Sequence, residues 1–151
     1  MLFDESVINF QINPSSQEEL LSSLSDQLLE KGVVKDTFVT GIIDREKNFP
    51  TGLPVQPFGV AIPHTDNDHV VKEQIGFASL KEPVKFKIMG SDSDYVNVSL
   101  VFILALKYPD KQLDMLQKLI TLFQNEGVLN QLYECNEVDL FKEIMRTNNI
   151  I

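Results

Sequence analysis

The chain has 151 residues and a formal charge of −9, from 13 Lys and Arg against 22 Asp and Glu. At roughly 150 residues per domain, this length predicts one domain over residues 1–151 that buries its own core. The acidic balance and the scattered basic residues argue against nucleic-acid binding. Cys135 is the single cysteine, which excludes an intramolecular disulfide and a Cys-rich zinc site.

The N-terminal segment predicts that the chain is not exported. It begins M-L-F-D-E, with acidic residues where a signal peptide carries basic ones, and no apolar run of membrane-spanning length occurs in the sequence. Together with the single cysteine, this indicates a soluble protein of the cytoplasm.

Two helices are predicted in the first third of the chain. Ser16 and Glu19 have capping-box spacing, and leucines then recur at three- and four-residue steps until Gly32 ends the helix. Asp36 is predicted to cap a second helix that runs to about Glu46 and ends before residues 49–50, where Phe precedes Pro.

Strands are predicted at residues 7–12, 59–62, 75–80 and 97–106. The last is almost continuously apolar, which is typical of a central strand covered on both faces. Helices therefore precede and follow the strands, and this order indicates an α/β fold with three layers.

The final third is predicted to be helical. A long helix opens at residues 109–110 with Asp110 as its N-cap, and residues 126–146 form two shorter helices with a break near Asn136. The long helix is predicted to face the core with the apolar residues that share one side of it, Leu113, Leu116, Leu119, Ile120 and Phe123.

Candidate chemistry concentrates at the end of the strand at 59–62. Pro63 ends this strand and is followed by His64, and His69, the other of the two histidines, lies close behind it with Asp66 and Asp68 between them. Three interpretations are open for this segment: a divalent metal site, a structural histidine bonded to the backbone, and a nucleophilic histidine.

Other types of site lack their sequence signals. There is no Gly-x-Ser-x-Gly motif and no Gly-rich phosphate loop, and Cys135 has no basic neighbour in the sequence to activate its thiol. A nucleophilic His64 would transfer a phosphoryl group, with the Arg45 guanidinium as a donor to the phosphoryl oxygens. The alternative for Arg45 is a solvated charge near a helix end.

Two motifs resemble a known family. The pattern R-E-x-x-x-P-T-G-L at residues 45–53, followed by G-V-A-I-P-H at 59–64, resembles the fructose/mannitol-type IIA component of the bacterial sugar phosphotransferase system. The segments P-H-T-D at 63–66, H-V at 69–70 and F-x-x-M-G at 86–90 are most similar to its galactitol-specific branch.

The resemblance implies a fold and a function. The fold is a mixed sheet between helix layers. The function is that of a cytoplasmic phosphocarrier without a cofactor, in which His64 accepts phosphate that phosphoenolpyruvate supplies through enzyme I and HPr. His64 then donates it to a cysteine of a IIB component, while the membrane IIC component imports galactitol or a related polyol. Arg45 matches the family arginine beside the active histidine.

The sequence departs from the family pattern at two places. Thr65 stands where a small residue such as Gly is more usual, and its hydroxyl is expected to touch the phosphoryl group. Gln112 stands nearest to the position of a second family histidine, and His69 is the candidate to substitute for that histidine in space. No metal ligand is assigned. The alternative function is a regulatory IIA module of the nitrogen-related type, in which phosphorylation of His64 switches protein binding.

Overall fold

The computed structural model describes residues 2–151. One mixed five-stranded sheet lies between two layers of helices, which confirms the predicted α/β fold. In chain order the elements are β1 (Ile8–Ile12), α1 (Gln17–Glu30), α2 (Phe38–Asn48), β2 (Gly52–Leu53), β3 (Gly59–Ala61), β4 (Gln74–Lys87), β5 (Tyr95–Ala105), α3 (Pro109–Leu122), α4 (Glu126–Glu134) and α5 (Val138–Thr147).

The strands lie in the order β1-β4-β5-β3-β2. The long strands β4 and β5 pair antiparallel at the centre; β1 runs parallel to β4 on one side, and β3 runs parallel to β5 on the other. The two-residue strand β2 pairs antiparallel with β3 at the edge. Because β3 and β5 are parallel, their carboxyl ends lie at the same edge of the sheet, where ligands commonly bind in α/β proteins.

Each face of the sheet carries its own hydrophobic core. Leucines of α1 and the Phe38 and Ile42 side chains of α2 cover one face. Residues of α3, α4 and α5 cover the other face, where the Phe77, Phe102 and Phe141 rings pack with centroids 4.5 to 6.4 Å apart. No helix among the described residues is both long enough and apolar enough to cross a membrane.

The starts of α1 and α2 differ in part from the predictions. Ser16 caps α1 and accepts a hydrogen bond from the Glu19 N–H, as predicted, but the Glu19 carboxylate bonds to Ser15. Asp36 does not cap α2: the N-cap is Thr37. The Thr37 hydroxyl faces a histidine of another loop and caps no N–H of α2 within the described residues.

The predicted strand at 75–80 is the first half of a longer strand. β4 continues to Lys87 because a register shift between Ser79 and Val84 places Pro83 in an exposed bulge. Proline is tolerated at such a bulge because no ladder N–H is needed there. The short strand β2 went unpredicted, since two residues are too few to form a periodic pattern.

The long helix α3 begins at Pro109 with Tyr108 as its N-cap, so the assignment of Asp110 was wrong. Its predicted core face was also wrong at two positions: Leu113 is 59% exposed and Ile120 is 36% exposed. The helix is buried at Met115, Leu119 and Leu122, and the predicted residue Leu116 packs half-buried against the same core. The predicted break after α4 is confirmed, and Cys135 is buried there against the core.

Candidate functional site

His64 lies where β3 leaves the sheet. The parallel pairing of β3 with β5 continues past Ala61, because the Leu104 N–H donates to the Pro63 carbonyl at 2.9 Å and His64 forms a bridge with Leu104. Residues 59 to 63, which directly precede His64, are all buried. The imidazole is therefore mounted on a rigid strand end and is itself half-buried.

One hydrogen bond determines the tautomer of the His64 ring. Nδ1 lies 2.8 Å from the Ile62 carbonyl oxygen. A carbonyl oxygen only accepts hydrogen bonds, so Nδ1 carries the proton, and the lone pair of the neutral ring is on Nε2.

The surroundings of His64 favour its neutral form. Burial lowers the pKa of His64 below its ordinary value of 6.5, and the positive charge of Arg45 lowers it further, while the Ile62 hydrogen bond acts in the opposite direction. At neutral pH the ring is therefore uncharged, with Nε2 available as a nucleophile.

Arg45 lies on α2 beside this ring. Its guanidinium is 3.7 Å from the Asp66 carboxylate and lies over the Phe49 ring, 5.0 Å from the centroid. Its Nε atom is buried and has no hydrogen-bond partner within residues 2–151. Asp66 faces Arg45, and Asp68 is exposed to solvent.

Three residues spaced four apart on one side of α2 face the His64 loop: the N-cap Thr37, Gly41 and Arg45. Thr37 contacts His69 at 2.7 Å through Nδ1, and Arg45 contacts Asp66. A Cβ placed on Gly41 would lie 3.0 Å from both His69 Nε2 and Thr65 Oγ1. The structure therefore brings the predicted residues His64, Arg45, Thr65 and His69 together.

Behind Arg45, a buried carboxylate closes the turn after α2. Glu46 is 5% exposed and accepts hydrogen bonds from the Thr51 N–H at 2.8 Å and the Thr51 hydroxyl at 2.7 Å. Burial raises the pKa of Glu46 to about 7, against the two Thr51 hydrogen bonds, which lower it. Both residues belong to the motif at 45–53, but sequence analysis assigned them no role.

The predicted residue Gln112 belongs to α3. It lies half-buried on the first turn of α3, with its N–H bonded to the Tyr108 carbonyl. The Asn67 amide bonds the Lys107 carbonyl at 2.6 Å, which ties the His64 loop to the segment before α3. Within residues 2–151, no group of three or more His, Cys, Asp or Glu side chains is arranged to hold a metal ion.

A family model matches almost the entire chain. Residues 1–148 match the family described as "Phosphoenolpyruvate-dependent sugar phosphotransferase system, EIIA 2". The chain belongs to this family. It is therefore a IIA component of that system and a phosphotransferase, which confirms the resemblance found in the sequence.

Relatives of known name and structure agree with this membership. The "PTS system galactitol-specific EIIA component" of Escherichia coli K12 is 33% identical over 139 residues, covering 92% of this chain and 89% of that protein. The crystal structure of the IIA mannitol protein from Escherichia coli is 25% identical, with a TM-score of 0.76 over 96% of this chain and 99% of that one. An NMR structure of enzyme IIAMTL in complex with phosphorylated enzyme IIBMTL from Escherichia coli is also 25% identical, with a TM-score of 0.77 over 97% of this chain and 98% of that one.

Proposed function

We propose that this IIA component carries a phosphoryl group on Nε2 of His64, between HPr and a IIB component. In the first step, the Nε2 lone pair attacks the phosphorus of the HPr phosphohistidine; a new P–N bond forms and the bond to HPr breaks. In the second step, a IIB cysteine thiolate attacks the same phosphorus, and the bond to His64 breaks. The phosphoryl group comes from phosphoenolpyruvate through enzyme I, so the chain needs no cofactor.

The hydrogen bond from Nδ1 to the Ile62 carbonyl carries this proposal. It leaves Nε2 as the free nitrogen, holds the ring in one orientation, and does not involve the nitrogen that accepts the phosphoryl group in this proposal. The lowered pKa of His64 supports the same role, because the ring is neutral when it must act as a nucleophile.

Arg45 is the proposed electrostatic partner of the transferred group. Its guanidinium is held beside His64 by Asp66 and Phe49, and its Nε has an unused N–H. A pre-positioned cationic donor stabilises charge on phosphoryl oxygens during transfer. The Thr65 hydroxyl is a second proposed donor, while a direct contact of His69 or Gln112 with the phosphoryl group stays a prediction.

The sugar transported by the complete system is proposed to be galactitol or a related polyol. The support is the 33% identity with the galactitol-specific relative. In this scheme the chain acts in the cytoplasm and contacts IIB directly, and the membrane component IIC moves the sugar. Support for the IIB partner is the mannitol-type complex, whose IIA chain shares this fold.

The first experiment measures the intact mass of the protein after incubation with phosphoenolpyruvate, enzyme I and HPr. We expect a gain of one phosphoryl group that is lost on acid treatment. His64→Ala is expected to show no gain, and His69→Ala, the matched control at the other histidine, is expected to reach the same end-point mass as the wild type. A His64→Ala protein that gains the phosphoryl group would refute the assignment.

A second experiment follows the phosphoryl group onward. Phosphorylated protein is mixed with the galactitol-type IIB component and with a variant of that component that lacks its cysteine. Loss of the group from His64 only with the intact IIB supports the uptake function. Stable phosphorylation with both would contradict transfer to IIB and would favour the regulatory alternative.

A further inference from the structure

The loop that follows His64 is bonded to the segment before α2. The Lys35 N–H donates to the His69 carbonyl at 2.8 Å, Val34 forms an antiparallel bridge with Val70, and the Val71 N–H donates to the Val33 carbonyl at 2.9 Å. These bonds fix the backbone at the far end of the loop. They have no role in the phosphoryl transfer described above.

The His69 ring makes a further contact with α2. Its Nδ1 lies 2.7 Å from the Thr37 hydroxyl, although the two residues are 32 positions apart. Thr37 occupies the N-cap of α2, where threonine usually bonds a backbone N–H of the helix. Here the Thr37 hydroxyl contacts the His69 ring and makes no capping hydrogen bond to an N–H of α2 within the described residues.

Gly41 provides the space for the other edge of the ring. A Cβ at this position would lie 3.0 Å from His69 Nε2, 3.2 Å from His69 Cδ2 and 3.0 Å from Thr65 Oγ1, all closer than the usual contact distance of about 3.5 to 4.0 Å. Glycine inside a helix is less stable than alanine. The helix therefore keeps an unfavourable residue at the place where His69 and Thr65 meet it.

The residues on either side of this gap are the ones that form the site. Thr65 is 5% exposed and follows His64 directly in the chain. Arg45 is one helical turn after Gly41 on the same side of α2. The contact at Gly41 therefore sets the distance between the helix that carries Arg45 and the segment that carries His64.

We propose that His69 is a positioning residue for His64: Thr37 holds its ring through Nδ1, and the ring fills the gap above Gly41 and packs beside Thr65. This keeps the His64 segment at a fixed distance from Arg45. The inference rests on the proposed function, in which His64 carries the phosphoryl group. It assigns His69 no contact with that group.

Initial rates of transfer from phospho-HPr test the proposal. His69→Ala and Thr37→Val are expected to lower kcat by roughly tenfold, since misplacement by a fraction of an ångström costs rate without changing binding. The KM for phospho-HPr is expected to stay unchanged. Thr37→Ser keeps the hydroxyl and is expected to transfer at the wild-type rate, and equal rates for the Ser and Val variants would overturn the role of Thr37.

Combined substitutions separate positioning from a general loss of structure. In a His69→Ala background, Thr37→Val is expected to have no further effect, because its partner is already absent. Gly41→Ala is expected to slow transfer by about tenfold in the wild type but much less in the His69→Ala background, where the imidazole no longer meets the added methyl group. Gly127→Ala in α4 is the matched control for glycine replacement in a helix. Additive losses would overturn the proposal.

An NMR measurement on the unphosphorylated protein is independent of phosphoryl transfer. The ¹⁵N signals of the His64 ring are expected to show a single Nδ1–H tautomer in the wild type and in Thr37→Ser, and to shift or broaden in His69→Ala and Gly41→Ala. Unchanged His64 signals in both variants would refute positioning. A wild type that HPr fails to phosphorylate would instead refute the proposed function, and the NMR comparison would still decide the inference.

Discussion

The way that the free energy of unfolding changes with pH depends on whether burial or hydrogen bonding has the larger effect on the pKa of Glu46. Burial raises the pKa of this carboxyl, and the two hydrogen bonds from Thr51 lower it, with a net value of about 7 against 4.5 for an ordinary glutamate. Replacement by Gln removes the titration but keeps the size of the side chain. The difference in unfolding free energy between the wild type and Glu46→Gln should therefore change with pH.

The sign follows from proton binding. Between pH 4.5 and about 7 the folded protein keeps the Glu46 proton while the unfolded chain releases it, so the stability of the wild type falls as pH rises. The pKa difference of about 2.5 corresponds to a loss of about 3 kcal/mol, at about 1.4 kcal/mol per pKa unit. Below pH 4.5 and above about 7, the difference between the two proteins should level off.

Urea unfolding at half-unit pH steps from 4 to 8.5 measures this difference, with Glu82→Gln as a control for removing an acidic side chain at an exposed position. We expect the wild type to lose stability relative to Glu46→Gln as pH rises. A difference that stays flat, or that increases with pH, would refute the reasoning. An increase would mean that the Thr51 hydrogen bonds outweigh burial.

Three further predictions concern Arg45 in the candidate site, Gly52 in β2 and Ser16, the N-cap of α1. Arg45→Ala should slow transfer from phospho-HPr by roughly tenfold to a thousandfold, the cost of losing one pre-positioned donor, and a wild-type rate would remove Arg45 from the site. Gly52→Ala should lower the free energy of unfolding by about 1 to 3 kcal/mol, because its Cβ would lie 2.6 Å from the Lys87 carbonyl oxygen. Thermal unfolding beside Gly127→Ala checks this, and equal midpoints for the two variants would contradict it. Ser16→Ala should cost about 1 kcal/mol in urea unfolding, since the Glu19 N–H loses its acceptor, and an unchanged midpoint would show that this cap contributes nothing.

Most residues of the candidate site could be singled out from the sequence because they lie in two short motifs. The apolar segment that ends at Pro63 places His64 at the sheet edge, and Arg45 belongs to a helix whose periodicity is clear. The four-residue spacing of Thr37, Gly41, Arg45 and Phe49 was also present in the sequence. The spacing did not by itself predict a contact, because Gly41 leaves a gap that is filled by His69 and Thr65 only in the folded chain.

The errors in the helices have a common physical cause. Asp36 has the chemistry of an N-cap, but the position belongs to Thr37, whose hydroxyl bonds a histidine 32 residues away. The face of α3 is rotated from the predicted one, and Leu113 is exposed. At α2 the expected cap was overridden by a partner that is distant in the chain, and at α3 the side of the helix that is buried was set by packing against the core of the sheet.

The sequence by itself determined the family and the α/β class, because these depend on local patterns and on a motif, and it indicated His64 as the candidate histidine. Tertiary structure alone decided which ring nitrogen is free, since that depends on the contact of Nδ1 with the Ile62 carbonyl. It also decided the burial of Glu46 and the contact between His69 and Thr37. Protonation and orientation depend on desolvation and on long-range hydrogen bonds, and these exist only once the chain is folded.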